Sequence, residues 1–469
     1  MKPIPWTTKD ILEATSGSLL SGKLNIVFPT IGIDSKKISA KELFIAIEGE
    51  KHDGHKFIND LIGTGARGFL INKDRAQQII SILPNEDNFV CIGVPDTVKA
   101  LGDLAAFQRN RADISVVAIT GSNGKTTARI MSSSVIEKRF NTLSTYGNFN
   151  NEIGLPLTLL NICPEHRWAV VELGMNHPGE IARLAEISSP DIGVILNICY
   201  AHIEGVGSID GVMMAKGEIL GEIKASGIAV LNADDQRIMK LAKKETSSVL
   251  FFGMSDKAQI RAYNIEKRNM KISFELITPS GNVSINLPVR GDFMVYNALA
   301  AAAIGFCAGL SCEKIKAGLE SFIPAKGRLN IIRTSKNVNI IDDTYNANPE
   351  SMKAAIKELK ALSGSFKKNI VIGDMLELGE FSEKSHYDIG RLVGDSGISE
   401  LFVTGDFSRD IKKGAESVGL SSENIFLGTK EEITDKLNSI IKPEDWVLVK
   451  GSRMMAMEEV VRRLTKTNS

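Results

Sequence analysis

One stretch of this chain carries phosphate chemistry in its residue types and order: Gly121, Ser122, Asn123, Gly124, Lys125, Thr126 and Thr127, between the β-branched run SVVAIT and the helix-compatible ARIMSSSVIEK. Glycines let backbone amides turn inward on phosphate oxygens, and the N-terminus of the following helix adds partial positive charge. Lys125 is then placed to reach the β- and γ-phosphates of ATP, and Thr126 or Thr127 offers a hydroxyl to Mg²⁺. The longer GxxxxGK[ST] pattern would want Gly where Ile119 stands, so this is the shorter GxxGKT form.

Other polar groups stand at the ends of apolar runs. Glu172 closes WAVVE, and His202 follows IGVILNICYA. In a sheet of βαβ units both ends face the phosphate loop. Mg²⁺ prefers oxygen ligands, so Glu172 is a natural partner and His202 a less usual one. Arg328, in KGRLN at a Pro- and Gly-rich junction, offers a planar guanidinium that clamps phosphate when domains close. Tyr345, Asn346, Asn348 and Pro349 form a polar turn after NIIDD, suited to orienting a small amine nucleophile. KGSR at 450–453 ends the run WVLVK and is read as either a carboxylate contact or a surface basic pair. His166 and His177 are read as structural.

The elements that must hold these groups are short, continuous apolar runs alternating with helical patterns from Ser115 to Ser452: SVVAIT, WAVVELG, IGVILNI, GIAVLNAD, SVLFFG, NIIDD, NIVIGD, LFVTG and WVLVKGS. Runs without polar alternation suit strands covered on both faces, hence an α/β protein with mostly parallel, doubly wound sheets. Length (469 residues) suggests three domains or so. The expected division is 1–100, 101–325 and 326–469, with DTVKALGDLAAFQRNRA as a linking helix and PAKGRLN as the second boundary. The 56 basic residues match 56 acidic ones, which leaves no bulk field for nucleic acid or an anionic membrane, so phosphate recognition must be local. The start MKPIPWTTKDILEATSG lacks the apolar core of a secretory signal, and no run approaches the ~18 apolar residues of a membrane span. A cytoplasmic protein without membrane insertion is therefore expected, and a monomer. The five cysteines lack CxxC spacing and read as buried thiols rather than a disulfide or zinc framework.

TGSNGKTT, YGNFNNEIGLPLTLL (146–160), VVELGMNHPGEI (170–181) and NADD (232–235) together resemble the Mur ligase family of ATP-dependent amide-bond-forming enzymes. ELGMNHPGEI, DDTYNANPESMKAAI (342–356), GDMLELGEFSEKSH (373–386) and KGSRMMAME (450–458) are similar to the branch acting in peptidoglycan precursor synthesis on a UDP-N-acetylmuramoyl-tripeptide and D-alanyl-D-alanine. No DNPR stretch, carried by the diaminopimelate-adding branch, occurs. The resemblance implies an N-terminal UDP-substrate domain, a central P-loop-type ATP domain and a C-terminal dinucleotide-fold-like domain that binds the dipeptide. It implies an acyl-phosphate intermediate, with two Mg²⁺ ions held by Thr126, Glu172 and His202. Lys216, in the helical segment GVMMAKGEI, matches a lysine carbamylated by CO₂, a change that replaces a repelling ammonium with an anionic ligand. Asn297 is placed at the adenine, Asp343 at the ribose, and Ser35, Gly54 and His55 at the UDP moiety. Two positions depart from the family: Phe293 where His is usual, and Lys36 where Arg is usual. A related amino-acid-adding or folylpolyglutamate-type ligase would share the central loop but lack ELGMNHPGEI together with NANP. A non-enzymatic P-loop switch would need none of Glu172, His202, Lys216, Arg328 or Asp343.

Overall fold

The computed structural model describes residues 2–39, 41–49, 52–84, 89–201, 203–243, 248–268, 271–362 and 364–466. Among the described residues three larger sheets follow one another along the chain, with a small two-stranded one, Trp6–Thr7 against Val27–Phe28, beside the first. The first has five strands in the spatial order Ser18–Ser21, Val90–Val94, Gly68–Asn72, Leu43–Ile45, Ile31–Gly32, parallel except at Ser18–Ser21. It leads into the expected helix, Thr97–Asn110, whose N-terminus is capped by the Asp96 carboxylate accepting from the amides of Val98 and Lys99. This helix does more than link. Ala100, Leu101, Leu104 and Ala105 join Trp6, Phe28 and Leu43 on one side to Val116, Ala118 and Val171 on the other in one apolar core.

The second sheet has nine strands. Ser115–Thr120 lies between Trp168–Glu172 and Ile192–Ile195, with Thr142–Ser144 at one edge; Ile228–Asn232 and Ser248–Gly253 continue the other way. All these pairings are parallel. Val116 and Ala118 feed the core shared with the first sheet, while Val117 and Ile119 feed a second core on the opposite face. That two-sided burial is why the run carries no polar alternation. Because the chain leaves Ser115–Thr120 towards one edge and later returns on its other side, a crevice opens at its carboxyl end, where the phosphate loop lies.

Three antiparallel strands, Ile260–Arg268, Lys271–Thr278 and Gly281–Leu287, extend this sheet. The apolar-run reading did not anticipate them, because buried and half-exposed positions alternate along Lys271–Thr278. The Ala-rich segment forms helix Asp292–Cys307, packed in the second core beside Lys125–Ile136.

The third sheet runs Asn330–Arg333, Asn339–Asp343, Trp446–Lys450, Lys368–Ile372, Glu400–Val403, Ile425–Leu427, with only the first pairing antiparallel. Its central strands also feed two cores: Ile341, Ile370 and Leu448 on one face, Ile340, Val371 and Val447 on the other. The architecture is the expected mixed α/β arrangement with mostly parallel sheets. The cysteines are free; Cys91, Cys163 and Cys312 are buried, Cys199 and Cys307 half-buried. Among the described residues no helix is long and apolar enough to cross a membrane.

Candidate active site

A cavity of about 890 Å³ lies over the carboxyl end of the central sheet and is roofed by the C-terminal sheet's loops. The phosphate loop forms its floor. Gly124 has φ +85°, and a Cβ there would lie 2.4 Å from Asn297 Oδ1, so glycine is required on both backbone and steric grounds. Helix Lys125–Ile136 starts directly after it and directs its N-terminus at the cavity. The Lys125 ammonium folds back to donate to Gly121 O at 2.7 Å. Burial pushes its pKa down; nearby Glu172 opposes that shift and Arg328 reinforces it.

Glu172 pairs in register with Ile119, so the two strand ends are level and the carboxylate reaches the loop. It is 3% exposed and fully engaged: Oε2 accepts from Thr126 Oγ1 at 2.9 Å, Oε1 from Asn150 Nδ2 at 2.9 Å, and Arg129 Nε lies 3.7 Å away. Thr126 and Glu172 thus present two hard oxygen donors side by side, a donor set that fits Mg²⁺. Thr127 is buried beside them, on the loop's helical side.

Lys216, on helix Ile209–Gly217, is 1% exposed. Among the described residues it makes no ion pair. Burial, with Lys125 adding repulsion, holds its pKa well below the ordinary lysine value. A neutral amine is the form that takes up CO₂, and a carbamate here would remove the lysine–lysine repulsion, so the environment fits the implied modification.

The C-terminal loops reach the same cluster. Arg328 Nη2 donates to Thr126 Oγ1 at 2.9 Å, completing the chain of hydrogen bonds Arg328–Thr126–Glu172, and its guanidinium carbon stacks 4.1 Å from the centre of the Tyr345 ring. Among the described residues its Nε is buried without a hydrogen-bond partner, an orphaned cationic donor that an anion such as phosphate would satisfy. Asp343 accepts from Leu329 N and from Lys450 Nζ at 2.6 Å, and Lys450 also donates to Asn346 O. Asn348 caps helix Pro349–Lys360, its Oδ1 accepting from Ser351 N at 2.9 Å, and meets Asn123 of the phosphate loop.

Lys125, Thr126, Thr127, Ser122, Asn123, Gly124, Glu172, Asn297, Arg328, Asp343, Tyr345, Asn346 and Asn348 therefore line one cavity, with Phe293 at its wall. Gly121 stands at the loop's entry with φ +156°, and Lys216 lies behind the lining. His202 lies outside the described residues. The N-terminal candidates are elsewhere. Gly54 and His55 belong to the turn Gly54–Phe57, and His55 borders a separate cavity of about 340 Å³ with His52, Lys56 and Arg75. Both His55 ring nitrogens are engaged, Nδ1 with Asp53 Oδ1 at 2.7 Å and Nε2 accepting from Asn72 N at 3.0 Å. Ser35 is half-buried in a turn and borders neither cavity. His166 Nδ1 accepts from Cys163 N at 3.0 Å, in keeping with a structural role.

Sequence reasoning missed several supports. Asn197 grips the loop from both sides, its Oδ1 accepting from Asn123 N at 2.8 Å and its Nδ2 donating to Asn123 O at 2.9 Å. Asn150 stands in the sequence only as part of a longer motif, yet it fixes Glu172. Of the two readings of KGSR, Lys450 follows the carboxylate one: it is 2% exposed and paired to Asp343, while Arg453 makes an exposed pair with Glu458. The polar end of an apolar strand was the available signal for Lys450, whereas Asn197 stands in the loop beyond Ile192–Ile195.

Three family models match: Mur ligase family, catalytic domain, at residues 28–109; Mur ligase middle domain at 119–305; and Mur ligase, glutamate ligase domain, at 327–453. A curated UDP-N-acetylmuramoyl-tripeptide–D-alanyl-D-alanine ligase from Buchnera aphidicola (subsp. Baizongia pistaciae) is 38% identical over 444 residues, 94% of this chain and 93% of that protein. A crystal structure of MurF from Acinetobacter baumannii superposes with a TM-score of 0.90 at 32% identity, covering 100% of both chains. MurF ligase from Thermotoga maritima in complex with ADP gives 0.81 at 28% identity, covering 93% of this chain and 97% of that one.

Proposed function

The chain belongs to the Mur ligase family, and on that premise we propose that it is the ATP-dependent ligase joining D-alanyl-D-alanine to UDP-N-acetylmuramoyl-tripeptide in peptidoglycan precursor synthesis. The observation that carries this reading at the level of chemistry is the hydrogen-bonded chain Arg328–Thr126–Glu172, which brings a guanidinium, a hydroxyl and a carboxylate onto one phosphate loop.

The chemistry follows from the substrates. A carboxylate is a poor electrophile, so the terminal carboxylate of the tripeptide must receive the γ-phosphoryl group of ATP before an amine can attack it. Carboxylate and triphosphate repel each other. Lys125 and Arg328 offset that repulsion and stabilise charge on the phosphoryl group in transfer. Thr126 and Glu172, with His202 by resemblance, would hold Mg²⁺, which when bound supplies further charge neutralisation. Lys216 would serve as an anionic ligand once carbamylated, as its burial and lowered pKa favour. Asn297 and Asp343 hold the nucleoside of ATP, and Tyr345, Asn346 and Asn348 orient the dipeptide amine. Closure of Arg328 over the loop excludes water from the acyl phosphate. Ser35, Gly54 and His55 hold the UDP end, within a domain spanning 1–100. The ATP domain spans 101–325 and the dipeptide domain 326–469. The enzyme works in the cytoplasm as a monomer.

The test is to incubate the protein with ATP, Mg²⁺, UDP-muramoyl tripeptide and D-alanyl-D-alanine and measure phosphate release. Release should need both substrates. Release without the dipeptide, or equal turnover with a single amino acid in its place, would overturn the reading.

A further inference from the structure

We infer that a reciprocal amide pair, Asn123–Asn348, couples the nucleotide loop to the turn that receives the incoming amine, so that each of the two sites is completed by the other. Asn348 Nδ2 donates to Asn123 Oδ1 at 2.7 Å, and Asn123 Nδ2 reaches Asn348 Oδ1 at 3.4 Å. The inference rests on the ligase reading above, since it takes the two sites to be those of ATP and the dipeptide.

The Asn348 amide is not free to choose its orientation, and the Asn123 backbone is fixed in place. Asn348 Oδ1 is held by Ser351 N as the helix cap, which turns Nδ2 towards the phosphate loop; a flipped amide would lose the cap. Asn123 is held through its backbone by the two Asn197 contacts. A shift of the phosphate loop on nucleotide binding must therefore move Asn348 or break the pair. Asn348 adjoins Asn346 and Ala347, whose carbonyls are held by Lys450 and Ser452, so the signal passes directly into the dipeptide turn. The same helix is docked on the central domain at its far end: Lys357 pairs with Asp292 at 2.8 Å and Glu358 with Lys267 at 3.2 Å. With that end anchored, the Asn123–Asn348 contact sets the position of the helix N-terminus over the loop. Asn123 and Asn348 act here as positioning residues, between ligands rather than only on them.

Linkage makes the inference measurable, because a contact that ties two sites makes each ligand raise affinity for the other by one shared factor. One neutral hydrogen bond corresponds to about a three- to tenfold change. In the full-length protein, saturating D-alanyl-D-alanine should lower the Kd of Mg·ADP about three- to tenfold. Asn123→Ala, and Asn348→Ser, which retains a hydroxyl cap, should each bring that ratio to one, and the double variant should be no worse than either. Asn348→Asp keeps the cap and an acceptor for Asn123 Nδ2, and should restore part of the ratio. The melting temperature checks that each variant is folded. A wild-type ratio of one, or a wild-type ratio retained in folded Asn123→Ala, overturns the inference. Failure of wild-type turnover with the dipeptide would instead strike the ligase reading, and the two results are read in separate assays.

Discussion

Replacing Arg328 by Ala removes the hydrogen bond that crosses from the C-terminal domain to the nucleotide cluster and the ring contact that holds the guanidinium in place for it, and the structure sets the size of the loss. The hydrogen bond to Thr126 is 2.9 Å long and has a charged donor, worth about 1.5 to 3 kcal/mol. Stacking on Tyr345 at 4.1 Å adds about 0.5 to 1 kcal/mol. The sum, about 2 to 4 kcal/mol, corresponds to about a 30- to 700-fold fall in kcat/KM for ATP. The buried, unpartnered Nε predicts that Arg328→Lys is not conservative, since an ammonium presents no fork of donors in that plane. Its kcat/KM should lie between those of the wild type and Arg328→Ala, at least about tenfold below the wild type. Tyr345→Leu removes the ring alone and should cost about two- to fivefold. Phosphate release at varied ATP gives kcat/KM, and thermal unfolding should change little, because neither contact fills a core. An Arg328→Ala enzyme within about threefold of wild type, or an Arg328→Lys enzyme equal to it, would refute the clamp.

Lys216→Met should abolish turnover while the protein stays folded. In CO₂-free buffer the wild type's denaturant midpoint should rise as pH climbs towards the ordinary lysine range, because the native amine, with its pKa lowered, binds fewer protons than the unfolded one. The Lys216→Met variant loses that part of the rise and keeps the smaller one from Lys125, so identical slopes would contradict the buried-amine account. Gly124→Ala must hold a left-handed φ at about 1 to 2 kcal/mol and displace Asn297, so KM for ATP should rise and the melting temperature fall. Gly221→Ala, with nothing within 4 Å of the added Cβ, is the matched control and should leave both unchanged. Asp343→Asn strands the buried Lys450 ammonium and should destabilise the C-terminal domain by about 3 to 5 kcal/mol in chemical denaturation, with most of it recovered when Asp343→Asn is combined with Lys450→Met. An unchanged midpoint in the single variant would show that the pair is solvated.

What could be read from the sequence was what is contiguous in it. The phosphate loop is a strand, a turn and a helix in unbroken order, and each part constrains the next. Glu172 was legible for a related reason: a parallel sheet levels its strand ends, and register with Ile119 carries the carboxylate to the loop without any long-range information. Asn197 and Asn150 were not, because an asparagine in a loop has the same local signature whether it caps a turn or grips a backbone 74 residues away. Lys450 shows the limit from the other side. Its local pattern, an apolar strand ending in a basic residue, fits surface and core equally, and only pairing of Trp446–Lys450 with Asn339–Asp343 brings it against Asp343. The antiparallel strands 260–287 escaped because they are buried on one face, so their signal is alternation, whereas the parallel strands announce themselves by continuous runs. Contacts between domains are the hardest case of all. Arg328–Thr126 and Asn123–Asn348 join residues more than 200 positions apart and depend on how two separately folded sheets meet, which no local pattern encodes. The residues at strand ends and in the phosphate loop were therefore readable, while the contacts that gather them from distant parts of the chain required the fold.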